Sequence, residues 1–209
     1  MSTVDLTTTS YAILGLLAIK PWTTYELAQQ MDRSLRNFWP RAQSRIYEEP
    51  KRLVAEGLAT ATSDTVGRRP RTTYSITAKG RRTLKQWLAE AGGGPTLEFE
   101  ALLKVFYAEH GRKQDALVNI DAIRRWAEQQ NATNIAFARL YHDTGGPFPE
   151  RLASITLIGR FLTEFADMVN DWADWAASTV AEWPDDMNGI EPDWETLRSV
   201  AARDEQHPR

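Results

Sequence analysis

Apolar positions recur in two regimes along the chain. Before residue 92 they form dense helical clusters broken by one strand pair, and after it long stripes spaced by three and four. Residues 9–19 hold Tyr11, Ile13, Leu14, Leu16 and Leu17, apolar on nearly every side, which predicts a buried helix ended by Pro21. Thr23 or Thr24 can cap a second helix, whose Glu26 suits the positive end of the helix dipole and whose Leu27, Ala28 and Met31 face the core. A third helix is expected over residues 40–55, carrying Gln43, Ser44, Arg45 and Arg52 among Ile46, Tyr47, Leu53 and Val54. Pro50 falls inside it, where a missing hydrogen bond costs about 3 kcal/mol, so a bend is expected. The alternative, a stop before Pro50, leaves residues 51–56 without an obvious structure. Gly57 is placed as a C-terminal cap. Residues 58–62 and 72–76 are rich in β-branched side chains and read as two strands of a hairpin whose tip is Gly67-Arg68-Arg69-Pro70-Arg71. Thr77 caps a fourth helix to about residue 91, with Leu84, Trp87 and Leu88 inward.

Gly92-Gly93-Gly94-Pro95 marks a boundary, and beyond it the pattern is helical only. Residues 97–108 make a short apolar helix. Residues 113–141 carry Ala116, Ile120, Ile123, Ala127, Gln130, Asn134, Phe137 and Tyr141 on one stripe. Gly145-Gly146-Pro147 breaks it, and residues 150–182 repeat it with Ile155, Ile158, Leu162, Phe165, Val169, Trp172, Ala176 and Thr179. A helix of about 30 residues is about 45 Å long. Such a stripe needs covering along its whole length, by the neighbouring helix and by a second copy of the chain, so a homodimer is expected. The division expected is residues 1–94, residues 95–183 and an acidic tail, 184–209, with a short helix near Trp194.

The chain is long enough for two small domains, and its composition is globular. It has no cysteine, which removes disulfides, thiolate metal sites and a cysteine nucleophile, and suits a reducing cytoplasm. With no basic-then-apolar leader and no apolar run of about 20 residues, a soluble, cytoplasmic protein is expected. The net charge of −3 argues against a nucleic-acid partner until it is divided. Residues 1–94 hold 14 Lys and Arg against 8 Asp and Glu, and residues 95–209 hold 11 against 20, so the first part is basic and the second acidic. Phosphates respond to the local field, which decays over about 8–10 Å at physiological salt. A helix followed by a basic two-stranded wing is a shape that reads a groove and grips the phosphates beside it.

Eight blocks carry a family likeness: Tyr11-Ala12-Ile13-Leu14-Gly15-Leu16-Leu17, Thr24-Tyr25-Glu26-Leu27, Phe38-Trp39-Pro40, Ser44-Arg45-Ile46-Tyr47, Lys51-Arg52-Leu53, Glu56-Gly57-Leu58, Tyr74-Ser75-Ile76-Thr77 and Gly80. In this order and spacing they resemble the PadR family of bacterial transcriptional regulators over residues 9–90. The two long helices are similar to the virulence-activator-like C-terminal domain of its longer members. The chain departs from the pattern at Pro50 and Arg45. The resemblance implies a mainly α fold, with an N-terminal winged helix-turn-helix (helices plus a β-hairpin wing) and a long-helix dimerisation domain. It also implies a repressor, often one that senses phenolic acids, drugs or other small aromatic compounds.

Candidate DNA contacts follow. Gln43, Ser44 and Arg45 open the groove helix, where Gln pairs with adenine and Arg with guanine. Thr24 and Tyr25 start the helix that crosses the backbone; for Tyr25 a phosphate contact and plain packing are both open. Tyr47 is expected with its ring packed and hydroxyl outward. Arg68, Arg69 and Arg71 form a tip without an acid, whose self-repulsion a phosphate would offset. Trp126, Trp172 and Trp175 on the long helices read as interface packing or as an aromatic slot for a planar effector. The histidines His110, His142 and His207 show no metal-ligand spacing, and no phosphate loop, nucleophile elbow or zinc signature occurs, so neither an enzyme nor a cofactor is expected. Two rivals fit less well. A protein-binding winged helix has no need of an arginine tip, and a helical enzyme needs convergent titratable groups that the acidic helices do not offer.

Overall fold

The computed structural model describes residues 6–39, 46–66 and 69–203, with backbone alone at 64–66, 69, 70 and 188. The chain forms two compact units, Met1–Pro95 and Thr96–Arg209.

In the first unit α1 (Thr8–Ile19) begins at a capping box in which Thr7 and Ser10 satisfy each other's backbone N–H groups. Its Ile13, Leu14, Leu16 and Leu17 are buried, as the all-round apolar pattern requires. Trp22 and Thr23 form a two-residue strand, β1, which leads directly into α2 (Thr24–Ser34). Sequence reading missed β1, because two residues carry no alternation to detect. α2 buries Leu27 and Met31.

The third helix differs from expectation. Residues 40–45 lie outside the described residues, Ile46–Glu48 form a turn, and α3 spans only Glu49–Ala55. Pro50 sits in the first turn of α3 and is not a bend within a longer helix. The reason is local: Pro50 has no N–H to donate to the Ile46 carbonyl, whereas in a first turn that donor has no intrahelical partner anyway. Gly57, at φ +68, ends the segment.

The wing strands β2 (Ala59–Val66) and β3 (Arg69–Ile76) are longer than the sequence reading placed them, and pair antiparallel from Ala59↔Ile76 to Val66↔Arg69. β1 adds to the other edge of β3 at Trp22↔Tyr74 and Thr23↔Thr73, giving the order β1-β3-β2. Pro70 falls beyond the reach of β1, where β3 is paired on one side only, a setting in which strands tolerate proline. This register moves Arg71 from the tip into the ladder opposite Asp64.

α4 (Ala78–Leu88) is capped by Thr77, whose hydroxyl accepts from the Gly80 N–H at 3.0 Å. Trp87 stacks on Tyr11 with ring centroids 4.7 Å apart, tying α4 to α1. Leu88 was expected to face inward but is 67% exposed, because the helix ends there.

The second unit is helical. α5 (Glu100–Phe106) precedes α6 (Lys113–Thr144) and α7 (Leu152–Ala181), which pack together along Ala116, Ile120, Ile123 and Ala127 of α6 and Val169, Ala173, Ala176 and Val180 of α7. Gly145 in the left-handed conformation caps α6. At the other end of the pair, Lys113 Nζ donates to the carbonyls of Ala181 and Trp183, placing a cation at the negative end of α7. α8 (Trp194–Ala201), capped by Asp193, follows in the tail.

Candidate nucleic-acid interface

The start of α2 is fixed by one carboxylate. Glu26 Oε2 accepts from the Thr23 N–H at 2.8 Å and the Thr23 hydroxyl at 2.7 Å, while Thr23 Oγ1 accepts from the Glu26 N–H at 3.2 Å. This reciprocal box satisfies donors that a helix N-terminus leaves open. The Thr23 backbone bond and then the Thr23 hydroxyl hold the Glu26 carboxyl below its ordinary pKa, with smaller help from the charges of Arg71 and Lys20.

Tyr25 follows the cap and projects from α2 with 68% exposure, its hydroxyl accepting from Gln29 Nε2 at 2.9 Å. Tyr47, expected with its ring packed, is 61% exposed, because the turn at Ile46–Glu48 carries it out of the helix that would have buried one side. Lys51 on α3 pairs with Glu48 at 3.0 Å. From the wing, Arg71 Nη2 reaches Glu26 Oε1 at 3.3 Å. An acid does therefore meet one of the three wing arginines, and it comes from another element.

These groups line one open depression. Its walls are Thr23, Thr24, Tyr25 and Gln29 from the start of α2, Tyr47 and Lys51 from the α3 region, and Arg71 and Thr72 from β3. The structure thus brings together four of the sequence-chosen residues, Thr24, Tyr25, Tyr47 and Arg71. Gln43, Ser44, Arg45 and Arg68 lie outside the described residues, and Arg69 is described by its backbone alone, opposite Val66. Gln29 and Lys51 were not chosen; their one-turn spacing from Tyr25 and Tyr47 was the available signal.

Behind this face Glu49, the first residue of α3, is buried. It accepts from the Ser10 hydroxyl of α1 and lies 3.5 Å from Arg52 Nη1. A carboxylate at a helix N-terminus with two partners is a satisfied buried charge, and it fixes α3 to α1.

The three candidate tryptophans of the second unit, Trp126, Trp172 and Trp175, part company. Trp126 stands between Phe99 at 5.6 Å and Phe165 at 6.3 Å. Trp172 packs on the α6–α7 core, and Trp175 is exposed. Among the described residues there is no cluster of three or more metal-ligating side chains and no helix long and apolar enough to cross a membrane.

Comparison with known proteins agrees with this layout. Residues 13–86 match the transcriptional regulator PadR-like family. The negative transcriptional regulator PadR of Bacillus subtilis is 32% identical over 108 residues, 51% of this chain and 59% of that protein. The chain thus aligns with little more than half of that relative's length. The fold is similar to that of Bacillus subtilis PadR in complex with operator DNA, with a TM-score of 0.71 at 22% identity over 83% of this chain and 99% of that one. It is also similar to the same regulator in complex with p-coumaric acid, with a TM-score of 0.62 at 20% identity over 87% and 99%. The ordered sequence blocks, the wing and the family match converge on one part of the chain: residues 13–86 are a PadR-like domain of the transcriptional-regulator type.

Proposed function

We propose that this chain is a DNA-binding transcription regulator that acts in the cytoplasm as a homodimeric repressor on a pseudo-palindromic operator. The observation that carries the reading is the depression where the start of α2, the α3 region and β3 converge, with two exposed tyrosines and the cations Lys51 and Arg71 on its walls. Tyr25, Thr24 and Arg71 serve as backbone contacts, Gln43, Ser44 and Arg45 as base contacts, and Arg68 and Arg69 as the phosphate or minor-groove grip of the wing. The basic charge of residues 1–94 supports this, and the acidic remainder confines DNA to that face.

Dimerisation falls to α6 and α7, whose Phe137, Leu140, Leu157 and Phe161 stand exposed in the single chain. Two-fold symmetry sets half-sites about 34–36 Å apart, or a multiple of that. A small aromatic or phenolic effector is the proposed inducer, since a relative is known with p-coumaric acid and Phe99 at the start of α5, Trp126 of α6 and Phe165 of α7 form an aromatic run. By binding one spacing of the reading heads better than another, it would shift the population off DNA.

The test is a mobility-shift titration on the inverted repeat flanking the gene, with the mass of the complex measured by light scattering. Two chains per operator and release by p-coumaric acid, with quenched tryptophan fluorescence, are expected. Binding that survives high salt without dependence on the wing arginines would overturn the DNA reading in favour of a protein-contact module.

A further inference from the structure

On a face read as meeting phosphates, Glu26 is the one acidic side chain among the described residues that line the depression. Its two oxygens have separate partners. Oε2 is committed to Thr23 at 2.7 and 2.8 Å, and Oε1 is left for Arg71 at 3.3 Å. Because the capping box immobilises the carboxylate, it cannot swing away when DNA arrives, and it stays beside Arg71 as a fixed competing anion. The other lining cation, Lys51, is also paired, with Glu48 at 3.0 Å. The pair with Arg71 is half exposed, so it is weak and exchangeable, and not a structural lock.

We propose that Glu26 masks Arg71, acting as a built-in competitor for the DNA backbone that limits how tightly this face holds any duplex. The inference rests on the DNA-binding reading above. Its physical content is ion bookkeeping. A free arginine that meets a phosphate releases a DNA counterion and adds about 0.9 to the salt slope. If that arginine must first leave a carboxylate, the stranded carboxylate takes up a cation, and the net release falls towards zero. Arg71 in the native chain therefore contributes little to the salt dependence, and a regulator masked in this way resists capture by bulk DNA.

Glu26→Gln separates this role from the capping role, because a glutamine oxygen can still accept from Thr23 while the charge is gone. Full-length native chain, E26Q, R71Q and the double variant are titrated with a random-sequence duplex of about 30 base pairs from about 50 to 200 mM salt. E26Q is expected to bind more tightly at the low end, with a slope steeper by about 0.9, an extra loss of about 3.5-fold across that range. The gain should vanish in the double variant, and R71Q alone should change the native slope by much less than 0.9. An unchanged slope in E26Q, a gain that persists without Arg71, or a full 0.9 lost in R71Q would each overturn the masking while leaving DNA binding intact. The R71Q result holds even if E26Q fails to fold. Failure of the native chain to bind any duplex at low salt would overturn both readings.

Discussion

Replacing Gly80 by alanine should loosen the root of the wing. A Cβ built on Gly80 would lie 2.2 Å from the Leu58 carbonyl oxygen and 2.9 Å from Ile76 Cγ1. Neither neighbour is free to give way. The Leu58 carbonyl accepts from the Thr77 N–H at 3.0 Å, the Leu58 N–H is bound to the Leu53 carbonyl at 2.8 Å, and Ile76 is in register with Ala59. The junction thus joins α3, β2, β3 and the cap of α4, and relief of the clash requires about 1 Å of backbone movement. Overpacking of this kind costs about 1–3 kcal/mol, and loss of the Thr77–Leu58 bond adds about 1 kcal/mol. Alanine's better helix propensity returns up to about 1 kcal/mol. The net is a loss of about 1–3 kcal/mol, a fall of roughly 5–20 °C in the melting of a unit of this size. The internal control is Gly15→Ala in α1, where a Cβ meets nothing within 4 Å, so propensity alone acts and the melt should hold or rise slightly. Thermal melts of both variants by circular dichroism decide it, and a Gly80→Ala protein as stable as native would refute the argument.

Three further outcomes follow from other parts of the fold. Alanine at Arg68 and Arg69 should weaken binding to every DNA sequence and flatten the salt slope by about 1.8, at about 0.9 per phosphate contact; a mobility-shift series against salt checks this, and a preserved slope removes the wing from the interface. Ser10→Ala removes the hydroxyl donor of buried Glu49, leaving its Oε1 with Arg52 at 3.5 Å, and should cost about 1–3 kcal/mol in urea unfolding, whereas an exposed hydroxyl would be lost for almost nothing. The Glu26 carboxyl titrates below its ordinary value of 4.5, chiefly through the Thr23 backbone and hydroxyl bonds. Its stabilisation is therefore complete above the unfolded value and drains away as the pH falls through the lower folded one. Native protein should lose more melting temperature than E26Q between about pH 6 and pH 3, and parallel losses would show that Glu26 is not linked to folding.

The elements most legible in the sequence were those set by local chemistry. Thr23 with Glu26, and Thr77 with Gly80, announce helix starts because the cap is a bond between residues three apart. The buried positions of α1 were readable because the helix is apolar on almost every side. The place of Pro50 was less legible, because the apolar spacing of Ile46, Leu53 and Val54 suits a helix running through it, whereas its fixed φ and missing N–H suit the first turn it occupies. The Glu26–Arg71 pair was not readable at all, since its partners are 45 residues apart and meet only through the register of β3. The hydrophobic pattern identifies strands, but register, and therefore who faces whom across elements, depends on where the hairpin turns.

The long helices show the same limit with a functional consequence. Of the stripe expected on α7, Val169 and Ala176 do lie in the buried seam, but Ala166, Ala173 and Val180 take the places expected of Phe165, Trp172 and Thr179, which stand one position earlier. Small residues win the seam because they let two helix axes approach closely, with Ala116 and Ala127 answering from α6. Large side chains are then displaced to the flanks, which is why Phe165 and Trp172 are only partly buried and Phe161 and Trp175 are exposed. An intramolecular pair sealed by alanines leaves its bulkiest apolar groups unspent. Those groups, and not the seam, are what a second copy would have to cover, so aspartate at Phe161 should break the proposed dimer while leaving the α6–α7 hairpin folded. Sedimentation at micromolar concentration reads the first effect and helical circular dichroism the second, and loss of both together would place Phe161 within the hairpin's own core.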